Sequence, residues 1–504
     1  MKRVFGIETE YGITIHGAES VDVVAESIEL VRSYTEHGAH MKWDYALEDP
    51  HRDARGFRAA ELLQDTDESA YYEIDKNRPL SFEEIKSDLV LSNGARFYND
   101  HAHPEYSTPE CTTLRQLVAH EKAGERILAE CARRRNLKLP ENEEVRLYKN
   151  NTDFVGHSYG CHDNYLMRRE LPWDRLVTGV LPFLITRQIF AGAGKMGIEA
   201  EGAAGQPGIF QISQRADFFS VLVSIDTMNK RPLVNTRDEP HADANLYRRF
   251  HVILGDSNMS EWATALKIGT TALVLELIER GEAPQLEIAQ PVNATKSISR
   301  DQNYDWILEL SDGRKISAID VQRLYFRAAE KIAADDPETV WLLREWETVL
   351  NDLERDVALT RDRVDWVAKK FLLGALREEE KLSWTDPWLQ AIDLEYHNIL
   401  PDQGLFYELL RQGSMRGFIS EDEIKSAIFT PPDTTRAYFR GRSVARFNDA
   451  IKSIQWDEMT FTSGARSHRV SLPEPAGGER LNALNGLVGE ETELPEFLRA
   501  ISAL

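Results

Sequence analysis

Near the start of this 504-residue sequence, two glutamates fall on one face of a predicted strand. Residues 4–15 alternate apolar and polar positions, and side chains two apart in a strand point to the same side. Phe5 and Ile7 should therefore face a core, whereas Glu8 and Glu10 face outward with a glycine on each side of the pair. Two carboxylates about 7 Å apart in a strand suit one or two hard divalent cations. A half-buried strand with a solvated outer face shows the same alternation, so the metal site is one of two interpretations.

A second predicted strand, residues 95–100, follows an Asn-Gly turn and carries a different set of polar groups. Alternation places Arg96, Tyr98 and Asp100 on one face, which combines a phosphate-binding guanidinium with a phenol and a carboxylate. The next residues add an imidazole and a third carboxylate, Glu105. The alternative is a salt bridge between Arg96 and Asp100 with no functional role.

Other motifs give weaker signals. Residues 149–164 and 235–243 concentrate His, Arg and acids, which suits phosphate and metal binding, although solvated loops are often as polar. Residues 192–197 match G-x-G-x-x-G but follow a helix-like segment, so they are interpreted as a helix end and a turn. Cys161 lies beside a histidine, yet nothing else in the sequence supports a nucleophilic role. Phosphate-loop, zinc-protease and nucleophile-elbow motifs are missing from the sequence.

Hydrophobic periodicity predicts the elements that must position these groups. Further strands are expected at residues 144–148, 208–212 and 221–225, and helices at 20–36, 112–135, 173–191, 262–280 and 337–381. Residues 40–79 lack a steady period and are predicted to be a long functional loop or a disordered insert. The two prolines at 431–432 mark a predicted boundary between a catalytic domain, 1–430, and a small C-terminal subdomain, 431–504. The fold class expected from this order is α+β, with antiparallel strands supplying the site.

The amino-acid composition argues against several classes of function. A net charge of −23 argues against nucleic-acid binding, which needs a basic face. Three cysteines without metal-ligand spacing fit a reducing cytoplasm. The sequence shows neither a signal-peptide core nor an apolar run of roughly 20 residues, so a cytoplasmic location without membrane contact is expected.

Several of these strings together resemble the Pup ligase/depupylase family. The resemblance runs over nearly the whole chain and rests on residues 6–12 (GIETEYG), 93–98 (NGARFY), 103–106 (HPEY), 158–162 (SYGCH) and 235–244 (NTRDEPHADA). It implies a glutamine synthetase-like fold, in which an antiparallel sheet forms a cradle with packed helices. It also implies ATP (or ADP) and Mg²⁺ as cofactors.

The family contains a ligase of Pup, a small disordered protein, and an enzyme that deamidates Pup and removes it from tagged proteins. Residues 43–57 and the segment 100–104 resemble the deamidase and depupylase branch. Cys161 and Asp163 depart from that branch, and Cys161 keeps the ATP-consuming ligase as the alternative. A non-catalytic binding protein with the same fold is the alternative from another class. The implied partners are Pup and pupylated proteins, with a link to the proteasomal ATPase system.

The resemblance also assigns roles by position. It implies that Asp100 is catalytic, as nucleophile or as general base. A separate hypothesis is that the insert at 40–79 gates the site near the nucleotide. The implied Mg²⁺ ligands are Glu8, Tyr98 and Glu105, and the implied ATP contacts are Arg96, Thr108 and Trp456. Further candidates for metal, phosphate or the Pup carboxylate are Glu10, His162, Arg237 and His241.

Overall fold

The computed structural model describes residues 3–35, 43–62, 78–200, 203–489 and 492–504. Residues 40–42 and 63–77 of the predicted insert lie outside the described residues. Helices and strands are mixed along the chain, which confirms the α+β class. None of the helices in the described ranges is long and apolar enough to cross a membrane.

A six-stranded sheet organises the site, with the strand order β12-β7-β1-β5-β4-β3 and antiparallel pairing throughout. The remaining strands form small sheets of two or three. The strands are β1 (Phe5–Glu10), β2 (Gly12–His16), β3 (Leu89–Val90), β4 (Arg96–Asp100), β5 (His103–Ser107), β6 (Glu144–Tyr148), β7 (Cys161–Arg168), β8 (Lys195–Ala200), β9 (Ala203–Gln211), β10 (Phe219–Ser224), β11 (Arg231–Asn235), β12 (Tyr247–Val252), β13 (Ile307–Glu309), β14 (Lys315–Ser317), β15 (Ile451–Ile454), β16 (Glu458–Ser463) and β17 (Arg466–Ser471).

Helices cover the apolar face of this sheet and build the rest of the molecule. They are α1 (Val23–Arg32), α2 (Phe82–Lys86), α3 (Leu114–Asn136), α4 (Trp173–Thr186), α5 (Gln188–Ala191), α6 (Glu261–Arg280), α7 (Pro291–Arg300), α8 (Ala318–Ile332), α9 (Pro337–Arg355), α10 (Asp365–Glu380), α11 (Pro387–Glu395), α12 (Leu405–Arg411), α13 (Glu421–Phe429), α14 (Arg436–Phe447), α15 (Glu479–Gly489) and α16 (Leu494–Ile501).

The first predicted strand is two strands, so the single strand over residues 4–15 was wrong. Phe5 and Ile7 of β1 are buried in the main core with α3 and α6. At Tyr11, which is fully buried, the chain leaves the six-stranded sheet, and β2 pairs with β6 instead. Tyr11 and the partly buried Ile13 therefore pack into a second core. Side-chain alternation depends on the local backbone, so the sequence predicted correctly which residues face the core. Strand pairing depends on residues far away in the sequence, so the change of sheet at Tyr11 was not predicted.

The helix predictions were correct in type and less accurate in extent. The helix expected at 112–135 is α3, which begins after Thr113. The Thr113 side chain accepts a hydrogen bond from the backbone N–H of Gln116 and so caps the helix. The segment at 173–191 is divided between α4 and α5 at Arg187. The segment at 337–381 is divided between α9 and α10.

The C-terminal residues form the β15–β16–β17 sheet with α14, α15 and α16 around a separate apolar cluster, which Trp43 and Val90 join from earlier in the chain. Arg440 of α14 donates to the Gly94 carbonyl at 2.7 Å and to Glu110 at 2.5 Å. These contacts connect the C-terminal residues to the turn before β4. The boundary at residue 431 stays a prediction.

Candidate functional site

The polar face of the six-stranded sheet lines a cavity of about 320 Å³. Glu10 of β1 lies opposite Glu105 of β5, which in turn lies opposite Tyr98 of β4. Residues directly opposite each other in antiparallel strands project from the same face. The register therefore brings the two sequence-predicted strands together across β5, with Glu8 and Asp100 in the same cavity.

Among the described residues, two groups of side chains are spaced closely enough to hold a cation. Glu10, Asp100 and Glu105 each offer a carboxylate oxygen within 4.8 Å of the others. Glu8 forms the second group with His162 and His251, at the same spacing. Carboxylate oxygens are the ligands that Mg²⁺ prefers, so the first group suits that ion better than the second.

Glu105 is the most constrained of these carboxylates. It accepts hydrogen bonds from the Tyr98 hydroxyl at 2.7 Å and from Ser107 at 3.2 Å. Burial, together with the charges of Asp100 and Glu8, raises the pKa of Glu105 well above its ordinary value. Crowded carboxylates of this kind are relieved by a bound cation, so the donor set fits a divalent metal.

We predict that Glu105→Gln stabilises the protein in the absence of divalent metal. The raised pKa means that Glu105 stabilises the fold below pH 4.5 and that this contribution is lost as the pH rises through the folded-state pKa. At neutral pH the variant should gain unfolding free energy, because glutamine replaces a carboxyl whose charged form is disfavoured by burial and by the charges of Asp100 and Glu8. Urea unfolding in EDTA measures the difference, which should shrink towards pH 4. A variant less stable than the wild type at neutral pH would contradict the prediction.

Glu8 has a different environment from Glu105. Its carboxylate accepts hydrogen bonds from Asn164 at 3.0 Å and Arg249 at 3.2 Å, and it lies 3.2 Å from His162 Nδ1. Burial alone would raise the pKa of Glu8, but the two histidines and the Arg249 charge outweigh it and hold the pKa below its ordinary value. Glu8 is therefore a carboxylate at neutral pH, ready to bind a cation.

Asp100 ends β4 and is paired with Lys86, whose Nζ lies 2.6 Å from one carboxylate oxygen. Burial would raise the pKa of Asp100, but the charges of Lys86 and His101 lower it further than burial raises it. The proposed salt bridge between Arg96 and Asp100 is wrong, because Arg96 Nε donates instead to Asp88 at 2.7 Å. Asp100 is thus an ionised carboxylate within the group that it forms with Glu10 and Glu105.

Arg96 is enclosed by aromatic rings. Its guanidinium lies 4.0 Å from the Trp43 ring centroid and 3.9 Å from that of Tyr98. It also donates to the Tyr45 hydroxyl at 3.0 Å. Arg96 lines the cavity, but Asp88 and Tyr45 already accept two of its hydrogen bonds.

Two other sequence-predicted residues lie in a narrower slot of about 90 Å³ that adjoins the cavity near Glu8. The slot is lined by Thr108 and Trp456, and Gly6 forms part of its floor. A Cβ on Gly6 would lie 3.2 Å from Thr108 Oγ1, so the glycine keeps this end open. An apolar slot that opens towards carboxylates has the shape and polarity that a nucleotide base with its phosphates requires.

The segment at 235–243 borders both spaces. Arg237 lines the cavity, and its Nε is buried without a hydrogen-bond partner among the described residues. His241 lines both the cavity and the slot, and burial with the nearby Arg249 charge lowers its pKa well below the ordinary value. His241 belongs to neither cation cluster, so its predicted role as a metal ligand stays a prediction.

The described part of the insert, residues 43–62, spans the cavity. At one end Trp43 packs edge-on against Trp456, with 5.3 Å between ring centroids, and the Asp44 amide donates to the Ile454 carbonyl at 3.0 Å. At the other end Asp53 accepts a 2.6 Å hydrogen bond from Thr236. Residues 43–62 thus connect the C-terminal sheet to the polar segment 235–243, which contains Arg237.

Cys161 lies on the opposite face of the sheet. It is buried in the main core, 3.7 Å from Lys267 Nζ, and does not line the cavity. Sequence reasoning missed several residues that do line it, and alternation along β12 could have placed two of them on one face. The missed residues are Lys86, Arg215, Arg231, Arg249 and His251.

The sequence matches the family described as Pup-ligase protein over residues 3–460. The chain belongs to the Pup-ligase family. It is 46% identical over 495 residues to a depupylase of Acidothermus cellulolyticus, covering 95% of each chain. It is also 41% identical over 516 residues to a Pup deamidase/depupylase of Mycobacterium tuberculosis, covering 99% of each. The structure of the Pup ligase PafA in complex with ADP matches 87% of this chain and 96% of that one, with a TM-score of 0.72 and 34% sequence identity.

These matches place the site within a known fold. The Pup-ligase family contains both ligases and depupylases, and the segment 43–62 and the acidic sheet face lie within the matched residues. The resemblance that the sequence motifs predicted is confirmed.

Proposed function

We propose that this protein is a Pup deamidase and depupylase. It would hydrolyse the side-chain amide of a C-terminal glutamine on Pup, and the isopeptide bond that joins Pup to a lysine. The observation that carries the proposal is the near full-length identity to a depupylase, 46%, together with a sheet face that offers the ionised Asp100 within a cluster of three carboxylates.

Nucleotide and Mg²⁺ are proposed as the cofactors. Glu8, Tyr98 and Glu105 would hold the metal, with Glu10 and His241 as further candidate ligands. Glu105 and Glu10 belong to one of the two cation-spaced groups and Glu8 to the other. Thr108 and Trp456 would contact the base, and Arg96 and Arg237 the phosphates. A bound divalent cation polarises a carbonyl and stabilises the charge that develops on its oxygen.

Asp100 is proposed as the catalytic residue. Its carboxylate either attacks the amide carbonyl carbon and forms an acyl anhydride, or removes a proton from the attacking water. In both routes the bond between the carbonyl carbon and nitrogen breaks, the nitrogen leaves with a proton, and water supplies the hydroxyl of the carboxylate product. Lys86 keeps the Asp100 carboxylate ionised and fixes its position at 2.6 Å.

Incubation of the protein with Pup ending in glutamine, Mg²⁺ and ADP tests this function. The proposal requires ammonia release and conversion of the terminal glutamine to glutamate by mass spectrometry. It also requires release of intact substrate from a purified Pup conjugate. Absence of both products in the wild type would favour a non-catalytic binding protein, whereas formation of new conjugates with ATP would favour the ligase.

The partners of the protein and its location in the cell are also proposed. Pup and pupylated proteins would be the partners, with a link to the proteasomal ATPase system. A cytoplasmic location is supported by the three cysteines, which are buried and, within the described residues, not joined in disulfides.

We predict that the insert gates the site and does not supply the Pup-binding surface. Asp53→Ala removes the acceptor for Thr236 and Arg55, and so weakens the attachment of the segment to the wall of the cavity, which then depends on backbone hydrogen bonds such as the one from Ala54 to Thr236. Turnover should change several-fold while Pup affinity stays within about twofold, and deletion of residues 40–79 should act in the same direction. Fluorescence anisotropy with labelled Pup gives the affinity, and loss of Pup binding would refute gating.

A further inference from the structure

The slot proposed for the nucleotide base has walls from two distant parts of the chain. One wall comes from the sheet and from the residues after β5, which include Thr108 and Glu110. The other comes from the C-terminal residues, which contribute Arg436, Trp456 and Pro475. A ligand that contacts both walls binds only when the two parts are docked, so its affinity depends on the groups that hold them together.

Glu110 connects the two walls through two buried arginines of α14. Arg440 donates to one Glu110 carboxylate oxygen at 2.5 Å, and Arg436 donates to the other at 2.7 Å. Burial would raise the pKa of Glu110, but the charges of Arg440 and Arg436 outweigh it and lower the pKa to about 2. Glu110 is therefore ionised at neutral pH, and removal of a partner from a buried ion pair weakens the contact strongly.

Arg440 also marks the closest approach of α14 to the turn before β4. Its guanidinium donates to the Gly94 carbonyl at 2.7 Å, and a Cβ added at Gly441 would lie 2.4 Å from the Ser92 carbonyl oxygen. A side chain at position 441 would push the helix away from the turn. Arg440 does not line the slot, whereas Arg436, one helical turn earlier, does. Arg440 therefore acts on the slot through the position of α14 and not by contact with a ligand.

We infer that Arg440 is a positioning residue of the nucleotide site: with Glu110 it holds the C-terminal residues against the sheet, and this docking and nucleotide binding stabilise each other. The inference rests on the proposed nucleotide cofactor and names the device that couples the cofactor to the fold. Thermodynamic linkage makes the effect reciprocal, so the factor by which docking raises nucleotide affinity equals the factor by which the nucleotide raises docking.

ADP affinity, measured by calorimetry on the full-length protein with Mg²⁺, tests one side of this linkage. Gly441→Ala places a methyl group against the Ser92 carbonyl without a change of charge, and it should raise the Kd for ADP by about 5–150-fold, the usual range of coupling between sites. Arg440→Met should act in the same direction. Arg440→Lys should fall between Arg440→Met and the wild type, because an ammonium group still pairs with Glu110 but lacks the guanidinium fork. Gly486→Ala in α15, where an added Cβ meets open space, is the matched control and should keep the wild-type Kd.

Hydrogen exchange tests the other side, because it measures the docking itself. In the wild type, saturating ADP should slow exchange of the α14 amides several-fold more than exchange of the amides in α8, which lines neither the slot nor the cavity. In Gly441→Ala without ADP, the α14 amides should exchange faster than in the wild type. Saturating ADP should restore most of their protection.

A variant that exchanges faster in α14 yet binds ADP within twofold of the wild type would overturn the inference. Equal protection of α14 and α8 by ADP, unchanged α14 exchange in both Gly441→Ala and Arg440→Met, or no binding of ADP to the wild type would also overturn it. If a variant does not fold, the comparison of α14 with α8 in the wild type decides. Turnover is not measured, so a protein that hydrolyses no Pup but shows this coupling would contradict the proposed hydrolase and leave the inference standing.

Discussion

Asp100→Asn should reduce hydrolysis of Pup ending in glutamine by a factor of about 10²–10⁴, the range expected when a positioned base is removed. Asparagine keeps the size of the side chain and can still accept a hydrogen bond from Lys86, which lies 2.6 Å from the carboxylate in the wild type. It cannot attack a carbonyl or remove a proton. The turnover number should fall while the affinity for ADP, measured by calorimetry, stays within a few-fold.

Asp312→Asn is the matched control for this variant. Asp312 also pairs with a basic residue, Arg314 at 2.7 Å, but in an exposed turn between β13 and β14. Its loss should leave turnover unchanged. If Asp100→Asn retained more than about a tenth of wild-type turnover, the assignment of Asp100 as the catalytic residue would fail.

Glu8→Gln should raise the Mg²⁺ concentration needed for half-maximal activity by at least 10–100-fold, the loss seen even when outer-shell partners of a metal are changed. The substitution removes an ionised carboxylate that two histidines and Arg249 surround. In the variant the two histidines and Arg249 face the metal position, and the negative charge that separated them from the metal is lost. Titration of activity with Mg²⁺, and of Mn²⁺ binding by paramagnetic resonance, measures the effect.

Glu19→Gln serves as the control, because Glu19 is exposed and lies outside the cavity. The two variants have the same change in net charge, so a general electrostatic effect would move both. An unchanged Mg²⁺ requirement in Glu8→Gln would remove Glu8 from the proposed ligand set. It would then leave Glu10, Asp100 and Glu105 as the cation site.

The faces of the two sequence-predicted strands were correct because side-chain alternation is a local property of the backbone. Glu8, Tyr98 and Asp100 line the cavity as expected. The sequence also placed Glu105 near them, since only a two-residue turn separates β4 from β5.

The missed residues depend on pairings between distant parts of the chain. Arg249 and His251 reach Glu8 because β12 joins the sheet beside β7. Lys86 reaches Asp100 from the short helix α2, which the sequence interpretation missed although Ser81 and Glu84 form a capping box at its start. Register and neighbouring strands are decided by packing over the whole sheet, so a single sequence does not specify them. The break at Tyr11 has the same cause.

The number of ADP molecules formed for each Pup processed is the most direct test of the claim that the protein is a hydrolase. Pup ending in glutamine is incubated with the protein, Mg²⁺ and a known amount of ATP, and product glutamate and ADP are measured in the same samples. The proposed hydrolase should complete many deamidation events for each ADP formed, and ADP should replace ATP as cofactor. One ADP formed for each Pup processed, with Pup transferred to lysines, would contradict hydrolysis and identify the protein as a ligase.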